Sequence, residues 1–302
     1  MSRIRIGTRG SPLALVQATL AEAALVRAEP GLKPERVIIR TTGDRQSETG
    51  APEAGKGVFV KEIEDALLAA TIDVAVHSLK DLPADLLPGL VLAAVLPRED
   101  PRDAFCSRDG RTLDELPAGS KIATGSPRRA AQLRRLYPQF EYVSIRGNVD
   151  TRLRKIRGGE ADGAVLARAG LARLGLTAAI TELIPAEVCL CAPGQGAIGL
   201  EARADDAATL ARLAKVNDKP TAAAVTAERA FLRRLGGGCR TPIAALALPG
   251  GASLKLMGYV GAVEGALFIA GSATAPATDA EALGIRLAEK LLGEGAAELL
   301  KA

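Results

Sequence analysis

The sequence predicts an α/β protein of two similar blocks followed by a smaller α+β block. Three observations carry this. Short apolar strands alternate with helical segments through the first two thirds of the 302 residues, the pattern of βαβ units with parallel sheets and helices on both faces. A strand, a Gly-Ser-Pro turn and a helix occur twice, at Gly10-Ser11-Pro12 and at Gly125-Ser126-Pro127. Beyond Asn217-Asp218-Lys219-Pro220 the alternation gives way to one helix, two strands and a final helix.

In chain order, Ile4 to Ile6 is the first strand, and Ser11 is placed to cap the helix from Leu13 with Pro12 as its first residue. Gln17 and Glu22 interrupt the apolar stretch from Pro12 to Val26 at helical spacing. This marks an amphipathic helix, neither a signal peptide nor a membrane span. Val37-Ile38-Ile39-Arg40 and Asp73-Val74-Ala75-Val76 are the next strands. The second block repeats the landmarks: Lys121 to Ala123, the Ser126-capped helix from Arg128, Val143-Ser144-Ile145-Arg146, and Asp162-Gly163-Ala164-Val165. Hinges or linkers are expected at Pro97 to Asp103, Pro193-Gly194-Gln195-Gly196 and Asn217 to Pro220. The last block holds an amphipathic helix from Thr221 to Leu235, Gly236-Gly237-Gly238-Cys239, strands from Leu254 to Val260 and from Leu267 to Ala273, and a helix from Asp279.

A helix N-terminus offers unpaired N–H groups and the positive end of a dipole. Arg9 precedes one such terminus and Arg128-Arg129 follow the other, so a cleft with anion-binding loops on both walls is expected.

Composition limits the chemistry. The chain has one histidine, His77, which excludes metal sites built on two or more imidazoles and leaves any Ser-His-Asp scheme a single base. Cys106, Cys189, Cys191 and Cys239 are too few and scattered for a disulfide framework, which fits a reducing cytosol. Cys189 and Cys191 have no further ligands nearby and read as buried apolar thiols rather than a metal site. The net charge of +4 conceals a cluster: Arg128 to Arg157 holds nine basic residues against Glu141 and Asp150, a net +7, which leaves −3 elsewhere. Arginine dominates, 28 to 11 lysines, and its planar fork suits carboxylate or phosphate. Nucleic acid is disfavoured, because only eight residues are aromatic and no nucleic-acid motif is present.

Within the cluster, Arg146 ends a strand and Arg152 lies early in the next helix, positions where open α/β sheets bind ligands. Arg134, Arg154 and Arg157 read as solvated surface. Lys80-Asp81, after a buried strand, reads either as a surface ion pair or as an anion-binding lysine beside a catalytic carboxylate. His77 reads as a structural histidine. Cys239, between three glycines and Arg240, is either an inert thiol or a point of covalent attachment.

Taken together these segments resemble the hydroxymethylbilane synthase (porphobilinogen deaminase) family. The resemblance spans nearly the whole chain: Thr8 to Leu15, Gly55 to Glu62, Ala75 to Pro83, Pro97 to Asp103, Ile145 to Leu153, Pro193 to Gly196 and Gly237 to Cys239. It implies two domains like type II periplasmic binding proteins and a smaller α+β C-terminal domain, divided as 1–97 with 196–216, 101–192 and 219–302. It also implies head-to-tail condensation of four porphobilinogen molecules with loss of ammonia, on a dipyrromethane primer joined by a thioether to Cys239. Water then cuts the linear tetrapyrrole from the primer.

By the same resemblance Asp81 is the catalytic aspartate, holding the protonated aminomethyl group and stabilising the cations formed as ammonia leaves and the next ring attacks. Lys80, Asp81, Ser126, Arg128, Arg129 and Arg146 bind the cofactor. Arg9, Ser11, Arg146, Arg152 and Arg173 bind substrate carboxylates, while Lys56 and Phe59 fall in a mobile lid. A cytoplasmic monomer is implied, without metal, membrane or nucleic-acid partners, its product handed to uroporphyrinogen-III synthase. The chain departs from relatives at Pro52, where some carry lysine, at Pro127 in place of leucine, and at Asp150 in place of glycine. A non-catalytic binding protein for a carboxylated ligand is the alternative reading of the same cleft.

Overall fold

The computed structural model describes residues 2–49, 57–236 and 241–301. Two compact units emerge, residues 1–99 with 197–222 and residues 100–196 with 223–302. Each is described by itself.

The first unit is built on a five-stranded sheet. Its strands are β1 (Arg3–Thr8), β2 (Lys33–Ile38), β3 (Val74–Ser78), β4 (Leu90–Val95) and, returning late in the chain, β10 (Ile198–Arg203), in the order β2-β1-β3-β10-β4. β1, β2 and β3 are parallel, while β10 runs antiparallel to both β3 and β4. The sheet is therefore mixed, not parallel throughout as the alternation suggested. Even-numbered side chains, Ile4, Ile6, Val74, Val76, Ile198 and Leu200, pack with Ala21 and Leu25 of α1 (Pro12–Ala28) and Leu213 of α7 (Ala207–Ala214). The opposite face carries Ala75 against Ile63 and Leu67 of α3 (Lys61–Leu68). α2 (Thr42–Thr49) follows β2.

The second unit repeats the plan. β5 (Asp103–Ser107), β6 (Lys121–Ala123), β7 (Glu141–Val143), β8 (Gly163–Ala167) and β9 (Glu182–Ile184) form a sheet of order β7-β6-β8-β5-β9. Again the first three positions are parallel and the fourth, β5, is antiparallel to its neighbours. α4 (Pro127–Leu136) covers one face through Leu133. α5 (Val149–Arg157) and α6 (Arg168–Arg173) cover the other through Leu153, Ile156 and Leu171.

A three-stranded antiparallel sheet completes this unit: β11 (Ile243–Gly250), β12 (Ser253–Gly261) and β13 (Phe268–Pro276). β11 went unpredicted, and its partner β12 matches the expected strand. α8 (Lys219–Leu235) and α9 (Ala280–Leu291) pack on one face around Phe231, Leu283 and Leu287, with α10 (Ala297–Lys301) last. The other face meets Leu190 and Cys191, whose carbonyl accepts the Ala245 N–H at 3.0 Å. Among the described residues no helix is long and apolar enough to cross a membrane.

α8 and α9 approach closely because Gly284 has no side chain: a Cβ there would lie 2.3 Å from the Ala227 carbonyl oxygen and 2.8 Å from the Ala230 Cβ. Backbone cannot yield as a flexible side chain does. Gly284→Ala is expected to cost about 1–3 kcal/mol, measured as a lowered urea midpoint with an unchanged slope; a wild-type midpoint would contradict the close packing.

Candidate functional site

In both sheets the parallel strands end on one edge, and the residues expected to carry function follow those ends. Ser11 and Ser126 cap α1 and α4 as expected, their hydroxyls accepting the Ala14 and Arg129 N–H groups at 3.4 and 3.5 Å, with Pro12 and Pro127 in the first turn. The fixed proline φ and the capping oxygen together set where each helix begins.

In the first unit, Arg9 lies between β1 and α1. Its Nε and Nη2 donate to Asp44 Oδ1 at 3.0 and 2.5 Å, and its guanidinium stacks 4.1 Å from the centre of the Phe59 ring. Asp44 also accepts from the Thr41 hydroxyl at 2.8 Å. Burial pushes the Asp44 carboxyl up, but Arg9 and Thr41 outweigh it and hold the carboxyl below its ordinary range. One edge and one face of Arg9 are thus spent on orientation, while among the described residues its Nη1 makes no hydrogen bond.

Lys80 and Asp81 lie in a single 3-10 turn, Leu79–Asp81, directly after β3. Lys80 is half-buried and Asp81 exposed. The turn is anchored by Leu79, buried, whose N–H donates to the Ala197 carbonyl at 3.1 Å. Gly199 makes room for it: a Cβ there would fall 2.9 Å from Leu79 Cδ1. One residue earlier, Ser78 meets the buried Gln17 of α1 at 2.7 Å.

In the second unit Arg128 and Arg129 depart from the expected picture of open anion-binding groups. Both are buried against Asp103, the first residue of β5. Arg128 Nη2 donates to Asp103 Oδ2 at 2.8 Å, and its Nη1 to the Leu190 carbonyl at 2.6 Å. Arg129 Nε and Nη2 donate to Asp103 Oδ1 at 3.0 and 2.6 Å, and its Nη1 to the Val165 carbonyl at 3.1 Å. Gln195 Nε2 adds a bond to Asp103 at 2.8 Å. Burial raises the Asp103 carboxyl, yet the two arginines and Gln195 hold it far below the carboxylate range. The trio retains one net positive charge at the α4 N-terminus.

Cys189 is buried as expected but not in an apolar setting: its sulfur lies 3.5 Å from both Asp103 and Arg128 Nη1. Burial, with Asp103 next, pushes its thiol up to about 12.

Arg146 does not end a strand, since β7 stops at Val143; it is exposed in the loop before α5. That loop turns at Gly147, where φ is 107° and a Cβ would lie 2.8 Å from Thr151 Cγ2. Arg152, in α5, donates Nε to the Gly147 carbonyl at 2.7 Å. Arg173, closing α6, donates Nη2 to the Gly196 carbonyl at 2.6 Å. Arg134 is not plain solvated surface: its Nη1 donates to the Val263 carbonyl at 3.2 Å, and the adjacent Arg135 stacks 4.9 Å from the Phe268 ring. Lys56 and Cys239 lie outside the described residues.

Sequence reasoning missed Asp44, Asp103 and Gln195. The signal for Asp103 is its place in Pro101-Arg102-Asp103, an acid immediately before an apolar strand, within a segment whose prolines and charges read as a hinge.

Comparison with known proteins bears on this arrangement. The family model described as porphobilinogen deaminase, dipyromethane cofactor binding domain, matches residues 4–211, and that for the porphobilinogen deaminase C-terminal domain matches residues 222–293. The porphobilinogen deaminase of Syntrophotalea carbinolica is 50% identical over 100% of this chain and 96% of its own length. That of Geobacter sulfurreducens is 49% identical over 99% and 94%. Among solved structures, the methionine binding protein MetQ is similar at a TM-score of 0.46 and 16% identity, over 71% of this chain and 89% of that one. The chain belongs to the porphobilinogen deaminase family.

Proposed function

We propose that this chain condenses four porphobilinogen molecules head to tail, releasing ammonia at each addition, on a dipyrromethane primer held by a thioether to Cys239, and that water then frees the linear tetrapyrrole. The observation that carries the reading is the full-length identity of about half to porphobilinogen deaminases. The described residues suit it.

A dipyrromethane brings two acetates and two propionates. The donors are of matching chemistry: the Ser126 helix end, the Arg128–Arg129 pair with its one uncompensated charge, exposed Arg146, and Lys80. These residues would hold it. When bound, the group supplies the free pyrrole carbon to which the first substrate ring is joined. Arg9 and Ser11, with Arg146, Arg152 and Arg173, are assigned to substrate carboxylates, and Lys56 and Phe59 to a segment that closes over them.

Asp81 is assigned the catalytic role. An exposed carboxylate on a turn anchored by Leu79 accepts the substrate's aminomethyl ammonium as an ion pair. As ammonia departs, the positive charge passes to the ring system and the same carboxylate stabilises it without reorganising. The neighbouring Lys80 orients a ring carboxylate.

The same reading divides the chain into domains 1–97 with 196–216, 101–192 and 219–302, and makes it a cytoplasmic monomer whose product passes to uroporphyrinogen-III synthase.

Three measurements test these assignments. Intact mass and peptide mapping of the purified protein should find an excess of two pyrrole units on Cys239; a bare thiol in active protein would overturn the attachment, and a bare thiol with no ammonia release would favour a binding protein. Asp81→Ala should keep the fold and lower the rate of ammonia release about 10²- to 10³-fold, so wild-type turnover removes Asp81 from the mechanism. Asp103→Asn leaves two guanidinium groups buried without a counter-charge, and about 3–5 kcal/mol of stability should be lost at pH 7. Because the Asp103 carboxyl is depressed below its ordinary 3.8, its contribution is present above that pH and is lost as pH falls toward the native value. The gap between wild type and Asp103→Asn in urea titrations should therefore narrow below pH 3.8. Equal stability at pH 7 would show that the arginines need no partner.

A further inference from the structure

The chain's single histidine has no part in the chemistry above, yet it is buried four residues before Asp81. In the antiparallel pair of β3 and β10, His77 stands opposite Gly199 and Ala75 opposite Glu201. His77 and Glu201 are therefore diagonal neighbours on one face of the sheet. Their side chains meet at 2.9 Å between Nε2 and Oε2, both with almost no solvent exposure. An ionised carboxylate only accepts, so a Glu201 carboxylate here pairs with the His77 tautomer that carries its proton on Nε2.

That face is the one covered by α3, which also contributes Glu64, buried. One oxygen of Glu64 and one of Glu201 have no hydrogen-bond partner among the described residues. Burial first, and the charge of Glu201 second, push the Glu64 carboxyl above its ordinary range, against a smaller opposing effect of His77. On α3 itself, Lys61 is exposed and Glu62 accepts from the Thr42 hydroxyl at 2.6 Å. Asp65 lies beside Glu64 on α3 and adds to the upward push. Arg203 on β10 is committed to the Leu67 and Ile72 carbonyls and to Asp206, and Arg5 on β1 pairs with Asp73. β4 carries no charged side chain.

We propose that His77, Glu201 and Glu64 act together as a positioning group that fixes the end of β3 and with it the turn presenting Lys80 and Asp81. With Glu64 neutral, one imidazole faces one carboxylate and the interior tolerates the set. Ionising Glu64 places two carboxylates around one imidazole in a dry site, and repulsion between α3 and β10 loosens the strand that ends at Ser78. Since Glu64 is raised above its unfolded value, the stability it contributes is complete at acid pH and fades as pH rises through the native value. The functional part rests on the role assigned to Asp81.

Glu64→Gln tests this by fixing the neutral form in nearly the same shape. Melting temperature should fall in wild type as pH rises through the native value of Glu64 and stay flatter in Glu64→Gln. The decline of kcat that accompanies this ionisation should move to higher pH in the variant with KM unchanged. His77→Gln, which keeps a donor toward Glu201, should retain more kcat than His77→Ala, for which a loss of about ten- to a hundredfold is expected from a displaced carboxylate. Coincident melting profiles of wild type and Glu64→Gln would overturn the triad, as would a kcat profile that does not move in the variant. If His77→Ala does not fold, the Glu64→Gln profiles still decide. The melting comparison is independent of Asp81, so wild-type turnover by Asp81→Ala would remove the catalytic reading while leaving the triad to stand or fall on its own.

Discussion

Two guanidinium groups in the first turn of a helix are unfavourable neighbours, because each sets a full positive charge beside the positive end of the dipole. Arg128 and Arg129 stand there in α4, buried. Asp103 makes the arrangement possible, accepting from both at 2.6 to 3.0 Å. Removing either sign alone would strand a charge in the interior, so β5 and α4 hold their relation or the cluster fails. The turn at Pro193 to Gly196 is tied into the same point by Gln195, and the Gly194 N–H is accepted at 2.7 Å by the buried Glu228 of α8. The second oxygen of Glu228 accepts from Ala247 of β11 at 2.8 Å. A line of buried polar contacts thus runs from α4 through β5 and the 193–196 turn to the three-stranded sheet.

Arg9 shows the other way of holding a guanidinium. It stays partly exposed, with Asp44 on one edge and Phe59 against its face. Burial of Asp44 is outweighed by Arg9 and Thr41, and among the described residues Nη1 of Arg9 makes no hydrogen bond. The buried pair gains rigidity and gives up most of its donors to protein acceptors; the exposed one keeps capacity for a ligand at the expense of a weaker hold. Both occupy the carboxyl edge of a sheet, just after β1 in one unit and just after β6 in the other, because the strand order places equivalent loops at equivalent positions.

Local features were legible. Ser-Pro at each helix start specified the caps, since capping depends on residues within one turn, and the amphipathic runs located α1, α8 and α9. The doubled landmarks predicted two like sheets. What escaped was non-local. Nothing near β10 or β5 states that each enters a sheet antiparallel to strands over a hundred or some sixty residues away, so parallel sheets were expected. β11 was missed because Ala244-Ala245-Leu246-Ala247 lacks the alternation of a half-buried strand: both its faces are covered. The role of Arg128 and Arg129 was incomplete for a related reason, since Asp103, 25 residues earlier, neutralises one of them.

This changes what the charge cluster means. Of the nine basic side chains from Arg128 to Arg157, Arg128 and Arg129 are half compensated by Asp103, and Arg134 and Arg135 engage Val263 and Phe268 of the third sheet's hairpin. Arg152 spends its Nε on the loop that carries Arg146. A net +7 in sequence therefore does not act as a diffuse positive field. Much of it is consumed in placing a few donors, and a ligand carrying several carboxylates would be recognised by the positions of those donors more than by the sum of their charges. A diffuse field is screened within about 8 Å at physiological salt, whereas fixed, directional N–H groups discriminate between ligands of equal charge.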